Sequence, residues 1–295
     1  MRSPRSRRRC SIERRANMCA SASRHAGEVQ VRGLKIAYEM AGEGPPLVLL
    51  HGALGDGRVW RRQLDALSDA FTVVAWDAPG CGQSSDPEEG LAFSDYAHYL
   101  AGFIGVLELE RPHVLGLSFG GGLALELYHQ YPGIPRTLIL ASAYAGGAGS
   151  LSPEEIEARL QGILALSKEP PGVVAEALLP TMFTPSTPAA VLEELEPILR
   201  DFHPRATRTM LRAFARADLR EMLGTIEVPT LLLYGERDQR SPLRVAREMH
   251  AAIPGSKLVV IPGVGHVTNL EAPGAFHEAV RSFLREVEGP GREEW

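Results

Sequence analysis

One serine of this chain lies in a pattern that is typical of a nucleophile. The pattern Gly-x-Ser-x-Gly occupies Gly116, Ser118 and Gly120, between a short apolar run and a stretch with helical spacing. A nucleophilic serine at a strand–turn–helix junction sits at a strained backbone position, and glycines are needed where strand and helix approach closely. The five-residue pattern alone is equally typical of a glycine-rich turn with an incidental serine. The rest of the chain therefore has to decide between the two interpretations.

Two further residues supply what a serine nucleophile needs. The apolar run 230–234 ends shortly before Asp238, and the run 257–261 ends shortly before His266. A serine hydroxyl is a weak nucleophile, so a histidine must accept its proton and an acid must orient the imidazole. Both residues follow predicted strands, at the sheet edge where active sites are usually built. We therefore predict that Ser118, Asp238 and His266 form a catalytic triad.

Other reactive side chains compete for these roles. Glu236 is the alternative acid because it lies two residues closer to the same strand. A carboxylate in a turn is usually solvated, so we favour Asp238. Asp77 precedes the serine and is followed by a proline and a glycine, so we interpret it as a residue that holds a loop. We interpret Cys81 as a small residue that fills the same loop.

Acyl transfer also requires hydrogen-bond donors for a developing oxyanion. Phe119 N–H follows the serine at the predicted start of a helix, where unpaired donors and the helix dipole favour negative charge. We predict Ala53 N–H as the second donor, because it follows a glycine in the loop after the apolar run 47–50. His51, which opens that loop, is interpreted as a residue that organises it by hydrogen bonding. Phe119 and Ala53 thus form the predicted oxyanion hole.

The predicted elements are those of an α/β protein with a parallel sheet. Residues 29–38 alternate in polarity and predict a hairpin, and the later short apolar runs have the length of strands buried on both faces. These runs are residues 47–50, 71–76, 113–117, 137–141, 230–234 and 257–261. From residue 144 to 224 only helical segments separated by prolines occur, far more than the roughly dozen residues of a crossover. We predict an insertion over 144–224 in a core formed by 26–143 and 225–288.

These motifs together resemble the α/β-hydrolase superfamily, over about residues 29–285. The motifs are His51-Gly52, Asp77-x-Pro79-Gly80-x-Gly82-x-Ser84, Gly116-x-Ser118-x-Gly120-Gly121, Gly235-x-x-Asp238, Gly265-His266 and Glu271-x-Pro273. The order serine, acid, histidine is the one expected for that arrangement. The resemblance implies an eight-stranded, mostly parallel sheet flanked by helices, with the insertion as a helical cap. The chain is similar to serine esterases and 3-oxoadipate enol-lactonases, whereas haloalkane dehalogenases and epoxide hydrolases have aspartate in place of Ser118.

The resemblance and the triad imply a serine hydrolase that cleaves a small carboxylic ester or lactone through an acyl-enzyme. Alternatives on the same triad are carbon–carbon bond hydrolysis, acyl transfer and cofactor-free perhydrolysis. A non-catalytic ligand-binding protein is the alternative from another class. Leu54 and Tyr144 are the apolar substrate contacts that we predict. Two roles are open for three arginines of the insertion: contact with a substrate carboxylate, or an exposed cationic helix face. They are Arg205, Arg208 and Arg212.

The amino-terminal segment is basic, unlike the rest of the chain. Its first 17 residues hold seven arginines and one acid, a net +6 that leaves −11 on the remainder of a chain with total charge −5. Such an arm is a nucleic-acid or membrane tail, a transit peptide, or upstream sequence translated from a start site placed too early. Met18 directly after it favours the last interpretation. We predict residues 1–25 to be a disordered arm and 289–295 to be a tail.

Composition limits the partners and the compartment. The apolar runs are far shorter than the ~20 residues needed to cross a membrane. Three cysteines, an odd number without metal-ligand spacing, predict a reducing compartment, and no histidine spacing suits zinc. We therefore predict a cytoplasmic enzyme with a small-molecule substrate, no cofactor, no metal, no nucleic-acid partner and no membrane partner. Formation of a homo-oligomer is left open.

Overall fold

A computed structural model of the chain describes residues 24–166 and 168–289. The predicted basic arm therefore lies outside the described residues except for its last two positions, 24 and 25. Of the predicted tail, only residue 289 is described. Cys10 and Cys19 lie outside as well. Within the described ranges, no helix is long and apolar enough to cross a membrane.

The strands form one eight-stranded sheet in the order β1-β2-β4-β3-β5-β6-β7-β8. They are β1 (His25–Val31), β2 (Leu34–Ala41), β3 (Pro46–Leu50), β4 (Thr72–Trp76), β5 (His113–Leu117), β6 (Thr137–Ala141), β7 (Thr230–Gly235) and β8 (Lys257–Ile261). The pairings of β2 with β1 and β4 are antiparallel, and the others are parallel. The predicted fold class, an α/β-hydrolase fold with a mostly parallel sheet, is confirmed.

Residue alternation along the central strands feeds two separate cores. In β3, Leu47 and Leu49 pack on one face of the sheet, while Val48 and Leu50 pack on the other. Successive side chains of a strand point to opposite faces, so a strand covered on both faces must be apolar throughout. All residues of β5, β6 and β7 are buried for this reason. The short unbroken apolar runs of the sequence are these strands.

Helices cover both faces of the sheet. The helices before the insertion are α1 (Arg61–Leu67), α2 (Phe93–Val106) and α3 (Phe119–Gln130). The helices after β6 are α4 (Pro153–Leu166), α5 (Pro171–Met182), α6 (Ala189–Arg200), α7 (Pro204–Arg216), α8 (Arg220–Leu223), α9 (Leu243–Ala252), α10 (Thr268–Glu271) and α11 (Pro273–Glu288). Helices α2, α3 and α9 pack in one core, and α1 and α11 pack in the other.

The segment from β6 to β7 contains helices α4 to α8 and packs over the carboxyl ends of the central strands. Phe214 of α7 lies against Phe119 at the start of α3, with ring centroids 5.6 Å apart, and against Tyr144 at 5.9 Å. Phe93 of α2 completes the cluster, 5.4 Å from Phe214. Edge-on aromatic pairs at these distances are favourable beyond the area that they bury. Helix α7 of the insertion therefore packs directly against the residue that follows Ser118.

Candidate active site

Ser118 occupies a sharp turn between β5 and α3. Its backbone has φ 55° and ψ −113°, a conformation that residues with a side chain rarely adopt. Ser118 N–H donates to Ala141 O at 2.8 Å, and Ser118 O accepts from Gly121 N–H at 3.0 Å. Strain of this kind persists only where the surroundings enforce it, and it is frequent at functional sites. The turn presents the hydroxyl at the carboxyl edge of the sheet.

The glycines that flank the serine are required by backbone contacts. A Cβ atom on Gly116 would lie 2.1 Å from Gly120 O, and one on Gly120 would lie 2.2 Å from Leu50 O. Both neighbours are backbone atoms of packed elements, so neither can move aside. Strand β5, helix α3 and strand β3 approach each other this closely only because both residues are glycine.

Asp238 and His266 are hydrogen-bonded to each other and buried. His266 Nδ1 lies 2.9 Å from Asp238 Oδ2 and 3.0 Å from Oδ1. Asp238 Oδ1 also accepts from Arg240 N–H at 2.9 Å and from Ser241 N–H at 2.8 Å. Burial alone would raise the pKa of Asp238, but the charge and hydrogen bond of His266 and the Ser241 amide hold it below its ordinary value. An ionised Asp238 fixes the proton on Nδ1 and leaves Nε2 free to accept one.

Glu236, the alternative acid, is directed elsewhere. Its side chain is exposed, and its Oε2 accepts from Gly263 N–H at 2.8 Å. His266 therefore has Asp238, and not Glu236, as its carboxylate partner.

Ser118 and His266 line the same cavity, which holds about 680 Å³ of empty space including its open mouth. No hydrogen bond between Ser118 and His266 occurs among those of the described residues. Catalytic hydrogen bonds are often long without substrate and tighten only in the complex. The cavity brings the serine, the histidine and its acid to one place.

The two predicted oxyanion donors border this space. Ala53 lines it together with Ser118, and Phe119 lines a second cavity that also reaches Ser118. Among the backbone hydrogen bonds of the described residues outside helices and strands, none has the Ala53 N–H or the Phe119 N–H as its donor, which is consistent with the predicted role. His51 Nδ1–H donates to Gly52 O at 2.8 Å, and its Nε2 accepts from Ala78 N–H at 3.0 Å. His51 therefore organises the loop, because both of its nitrogens are engaged by the backbone.

The two predicted apolar contacts line different cavities, and both cavities include Ser118. Leu54 lines the cavity shared with His266. Tyr144 lines the second cavity, which holds about 590 Å³ of empty space, and its hydroxyl accepts from Arg159 Nη1 at 3.1 Å. The Phe119 ring itself is buried against Phe93 at 5.5 Å. Two mainly apolar cavities therefore adjoin Ser118.

Asp77 and Cys81 have structural positions. Asp77 Oδ1 accepts from Gly57 N–H at 2.7 Å, and Oδ2 accepts from Gln83 N–H at 2.8 Å. Burial raises the pKa of the Cys81 thiol well above its ordinary value, which makes it a poor nucleophile. Both residues hold or fill the loop after β4, as the sequence predicted.

Of the two alternatives left open for the arginines of α7, the structure favours the exposed cationic face over contact with a substrate carboxylate. Arg205, Arg208 and Arg212 line a surface groove that does not include Ser118. Arg205 is exposed and pairs with Glu89, Nε to Oε1 2.8 Å. Helical spacing places these arginines on one face, but that face is turned away from the serine, so the alternative of an exposed cationic face holds.

The arginines that do line the space around Ser118 are Arg159 and Arg240, which the sequence reasoning did not select. Arg240 lies two residues after Asp238, at the end of a strand that was already assigned to the site. Its position just after the predicted acid was the signal from which the sequence could have identified it. Arg159 carries no comparable signal, because α4 is placed near the serine only by the packing of the insertion.

Glu271 connects the inserted helices to the loop that carries His266. Its Oε2 accepts from Gly265 N–H at 2.8 Å, next to the histidine. Its Oε1 accepts from the Thr184 backbone N–H at 3.1 Å, from the Thr184 hydroxyl and from the Thr187 hydroxyl at 2.8 Å. His266 N–H also donates to Met182 O at 2.8 Å. One carboxylate thus joins the end of α5 to the histidine loop.

Replacing Glu271 by alanine is expected to lower the free energy of unfolding by about 3 kcal/mol. The change leaves four donors that hydrogen-bond to the carboxylate without a partner. A misplaced histidine should also lower kcat/KM for an ester by about tenfold. Urea denaturation and steady-state kinetics measure the two effects. The matched control is Glu278→Ala, since Glu278 is exposed and pairs only with Arg285; it should change stability by less than about 0.5 kcal/mol. Equal effects of the two variants would contradict the conclusion that Glu271 joins the end of α5 to the histidine loop.

Several known proteins with similar sequences or structures carry the names of hydrolases. A family model described as the alpha/beta hydrolase family matches residues 47–279. A Cronobacter turicensis protein with the provisional name carbamate hydrolase RutD is 30% identical over 247 residues, 81% of this chain and 91% of that protein. A thermophilic esterase from Thermogutta terrifontis, with malate bound, has a TM-score of 0.82 at 28% identity, over 90% of this chain and 100% of its own. The enol-lactonase from Burkholderia xenovorans LB400 has a TM-score of 0.81 at 26% identity, over 88% and 99%.

Proposed function

Because the chain belongs to the alpha/beta hydrolase family and is a hydrolase acting on ester-type bonds, we propose that it is a serine hydrolase that cleaves a small carboxylic ester or lactone. The predicted resemblance to this family is confirmed. The observation that carries the proposal is the buried Asp238–His266 pair, which shares a cavity with a serine held at a strained turn. The esterase and the enol-lactonase of similar structure support the ester or lactone as substrate.

In the proposed reaction, Ser118 Oγ attacks the carbonyl carbon of the substrate while His266 Nε2 accepts the hydroxyl proton. The Ala53 and Phe119 amides hold the negative charge of the tetrahedral intermediate. The intermediate collapses to an acyl-enzyme when His266 returns the proton to the departing alkoxide. Water then repeats the sequence in place of the serine, and the carboxylic acid leaves. Asp238 orients the imidazole and stabilises its charged form in both halves.

The same site supports a second candidate substrate, a carbamate. The Cronobacter relative named for carbamate hydrolysis is the observation that favours it. A carbamate carbonyl is attacked in the same way, and the acyl group on Ser118 is then a carbamoyl group. Comparing an aryl carbamate with an aryl ester of equal size distinguishes the two candidates.

The proposal also assigns separate roles to the core and the cap. The core, residues 26–143 and 225–288, supplies the triad and the oxyanion donors, and the cap, residues 144–224, supplies much of the pocket wall. Leu54 and Tyr144 contact the apolar parts of the substrate, in line with their positions in the two cavities. We keep the cytoplasm as the proposed location, on the basis of the odd number of cysteines.

A fluorophosphonate probe tests the proposed function, because it reacts only with an activated serine. We expect the probe to inhibit hydrolysis of p-nitrophenyl butyrate and to modify one peptide, the one that contains Ser118. Mass spectrometry of the digested protein identifies the labelled residue. Protein unfolded in urea is the control and should not react. Ester hydrolysis that persists after complete labelling of Ser118, or an unlabelled Ser118 in active protein, would contradict the proposal.

A further inference from the structure

Two guanidinium groups face the space around Ser118. Arg240 lines both cavities that adjoin the serine, and Arg159 lines the second one. The other side chains of these walls are mainly aliphatic and aromatic. They include Leu54, Tyr144, Ile163, Leu179, Leu211 and Phe214. The Arg159 guanidinium lies 6.0 Å from the centre of the Tyr144 ring. Contact with such side chains alone does not account for two positive charges at this position.

The hydrogen bonds of these arginines go only to neutral acceptors. Arg240 Nη1 donates to the Thr181 hydroxyl at 3.0 Å. Arg159 Nη1 donates to the Tyr144 hydroxyl at 3.1 Å, and its Nη2 donates to Arg240 O at 2.9 Å. Among the ion pairs of the described residues, none includes either arginine. Glu155, on the same helix as Arg159, pairs with Arg244 instead, Oε2 to Nη2 3.0 Å.

An unpaired charge at this position is costly. Burial lowers the pKa of Arg240 and the nearby positive charge of Arg159 lowers it too, while Tyr144 and the negative charge of Asp238 offset part of this decrease. Arginine cannot lose its proton in a protein, so the cost is not relieved by neutralisation. A buried charge is normally compensated by an opposite charge with matched hydrogen bonds. Asp238 lies close enough to act on Arg240, but its carboxylate is held by His266 and two backbone amides. No carboxylate of the described chain hydrogen-bonds to either guanidinium, whereas a bound anion would supply that contact.

We propose that Arg240 and Arg159 form a subsite for a carboxylate carried by the substrate, so that the ester or lactone is anionic. This inference rests on the proposed function, since the subsite binds the far end of a substrate whose carbonyl group lies at Ser118. The guanidinium fork matches the geometry of a carboxylate. Of the ten N–H donors of the two guanidinium groups, three are used on the Thr181 hydroxyl, the Tyr144 hydroxyl and Arg240 O, so seven remain for an anion. Hydrolysis of this substrate yields a product with a second carboxylate, or a hydroxy acid if the carboxylate lies on the alcohol.

Two substrates that differ in this charge and in one methyl group test the inference. They are the mono-p-nitrophenyl ester of adipic acid and the methyl ester of that compound. Release of p-nitrophenol is followed at pH 7.5 and corrected for the uncatalysed rate. We expect kcat/KM of the wild type to be about 10- to 100-fold higher for the carboxylate, with most of the difference in KM. Arg240→Met and Arg159→Met should each reduce this ratio at least fivefold, while hydrolysis of the methyl ester changes less.

The matched control is Arg205→Met, because Arg205 is an exposed arginine outside both cavities. This variant should keep the wild-type ratio. The wild-type comparison does not depend on how the variants fold: hydrolysis of both compounds at equal rates, or a preference for the methyl ester, overturns the inference and leaves the proposed function intact. A ratio that survives in both folded arginine variants also overturns it. If neither compound is hydrolysed and Ser118 does not react with the fluorophosphonate probe, the proposed function fails first.

Discussion

Replacing Ser118 by alanine is expected to lower kcat/KM for p-nitrophenyl butyrate by about 10⁵-fold and to abolish labelling by the fluorophosphonate probe. The change removes one oxygen atom, and with it the atom that forms the acyl-enzyme. His266 and Asp238 keep their hydrogen bonds, because neither bonds to Ser118 in the described structure. A variant without the nucleophilic serine usually retains a small residual activity, which comes from the oxyanion hole and from substrate binding. The loss should therefore appear almost entirely in kcat.

The control for this prediction is Ser186→Ala. Ser186 is an exposed serine of the cap, and its hydroxyl contacts only the Thr184 hydroxyl at 2.9 Å. Its kcat/KM should stay within about threefold of the wild type, because surface substitutions are usually nearly neutral. Circular dichroism and thermal unfolding confirm that both variants are folded. A folded Ser118→Ala protein that keeps more than about a hundredth of the wild-type rate would show that another group attacks the ester.

The triad could be predicted from the sequence because its members follow central strands. Strands buried on both faces appear as short unbroken apolar runs, so their ends are easy to locate. In a parallel sheet the carboxyl ends of β5, β7 and β8 lie at one edge, which brings Ser118, Asp238 and His266 near each other. The glycines at 116 and 120 add a second local signal, since side chains there would overlap backbone atoms.

The side chains that surround the substrate could not be predicted in the same way. Helix α7 carries regularly spaced arginines, and only its packing against α3 through Phe214 decides that they face away from Ser118. Arg159 is far from Arg240 in the sequence, yet its Nη2 donates to Arg240 O. Contacts between an inserted segment and a core depend on how whole helices pack, which no local pattern encodes. Periodicity therefore shows that the cap is helical but not which of its residues line the pocket.

Glu271 illustrates a motif that was visible but had no assigned role. The sequence analysis included it in the motif Glu271-x-Pro273, near the histidine. Its function depends on Thr184 and Thr187, which come from the insertion. A carboxylate that contacts two distant segments is recognisable only when both are in place. The cap and the histidine loop are therefore coupled through a residue that belongs to neither the triad nor the pocket wall.

Replacing Asp238 by asparagine is expected to lower kcat by about 10⁴-fold while the protein stays folded, the size of effect known for the equivalent change in another serine hydrolase. Both carboxylate oxygens lie near His266 Nδ1, and Oδ1 also accepts from two backbone amides. An asparagine satisfies those amides with its oxygen and turns its NH₂ group toward the imidazole. His266 Nδ1 must then accept a hydrogen bond, so the proton moves to Nε2. In that tautomer the imidazole cannot take the proton of Ser118.

Glu236→Gln is the matched control, because it makes the same carboxylate-to-amide change on the same loop. Among the described residues, the Glu236 carboxylate accepts one hydrogen bond, from Gly263 N–H, and glutamine retains an oxygen that can accept it. Its kcat should remain within about threefold of the wild type. Steady-state kinetics of both variants, with labelling by the fluorophosphonate probe as a second measurement, decides between the two acids. A large loss in Glu236→Gln together with near-normal turnover in Asp238→Asn would reverse the assignment and make Glu236 the residue that orients His266.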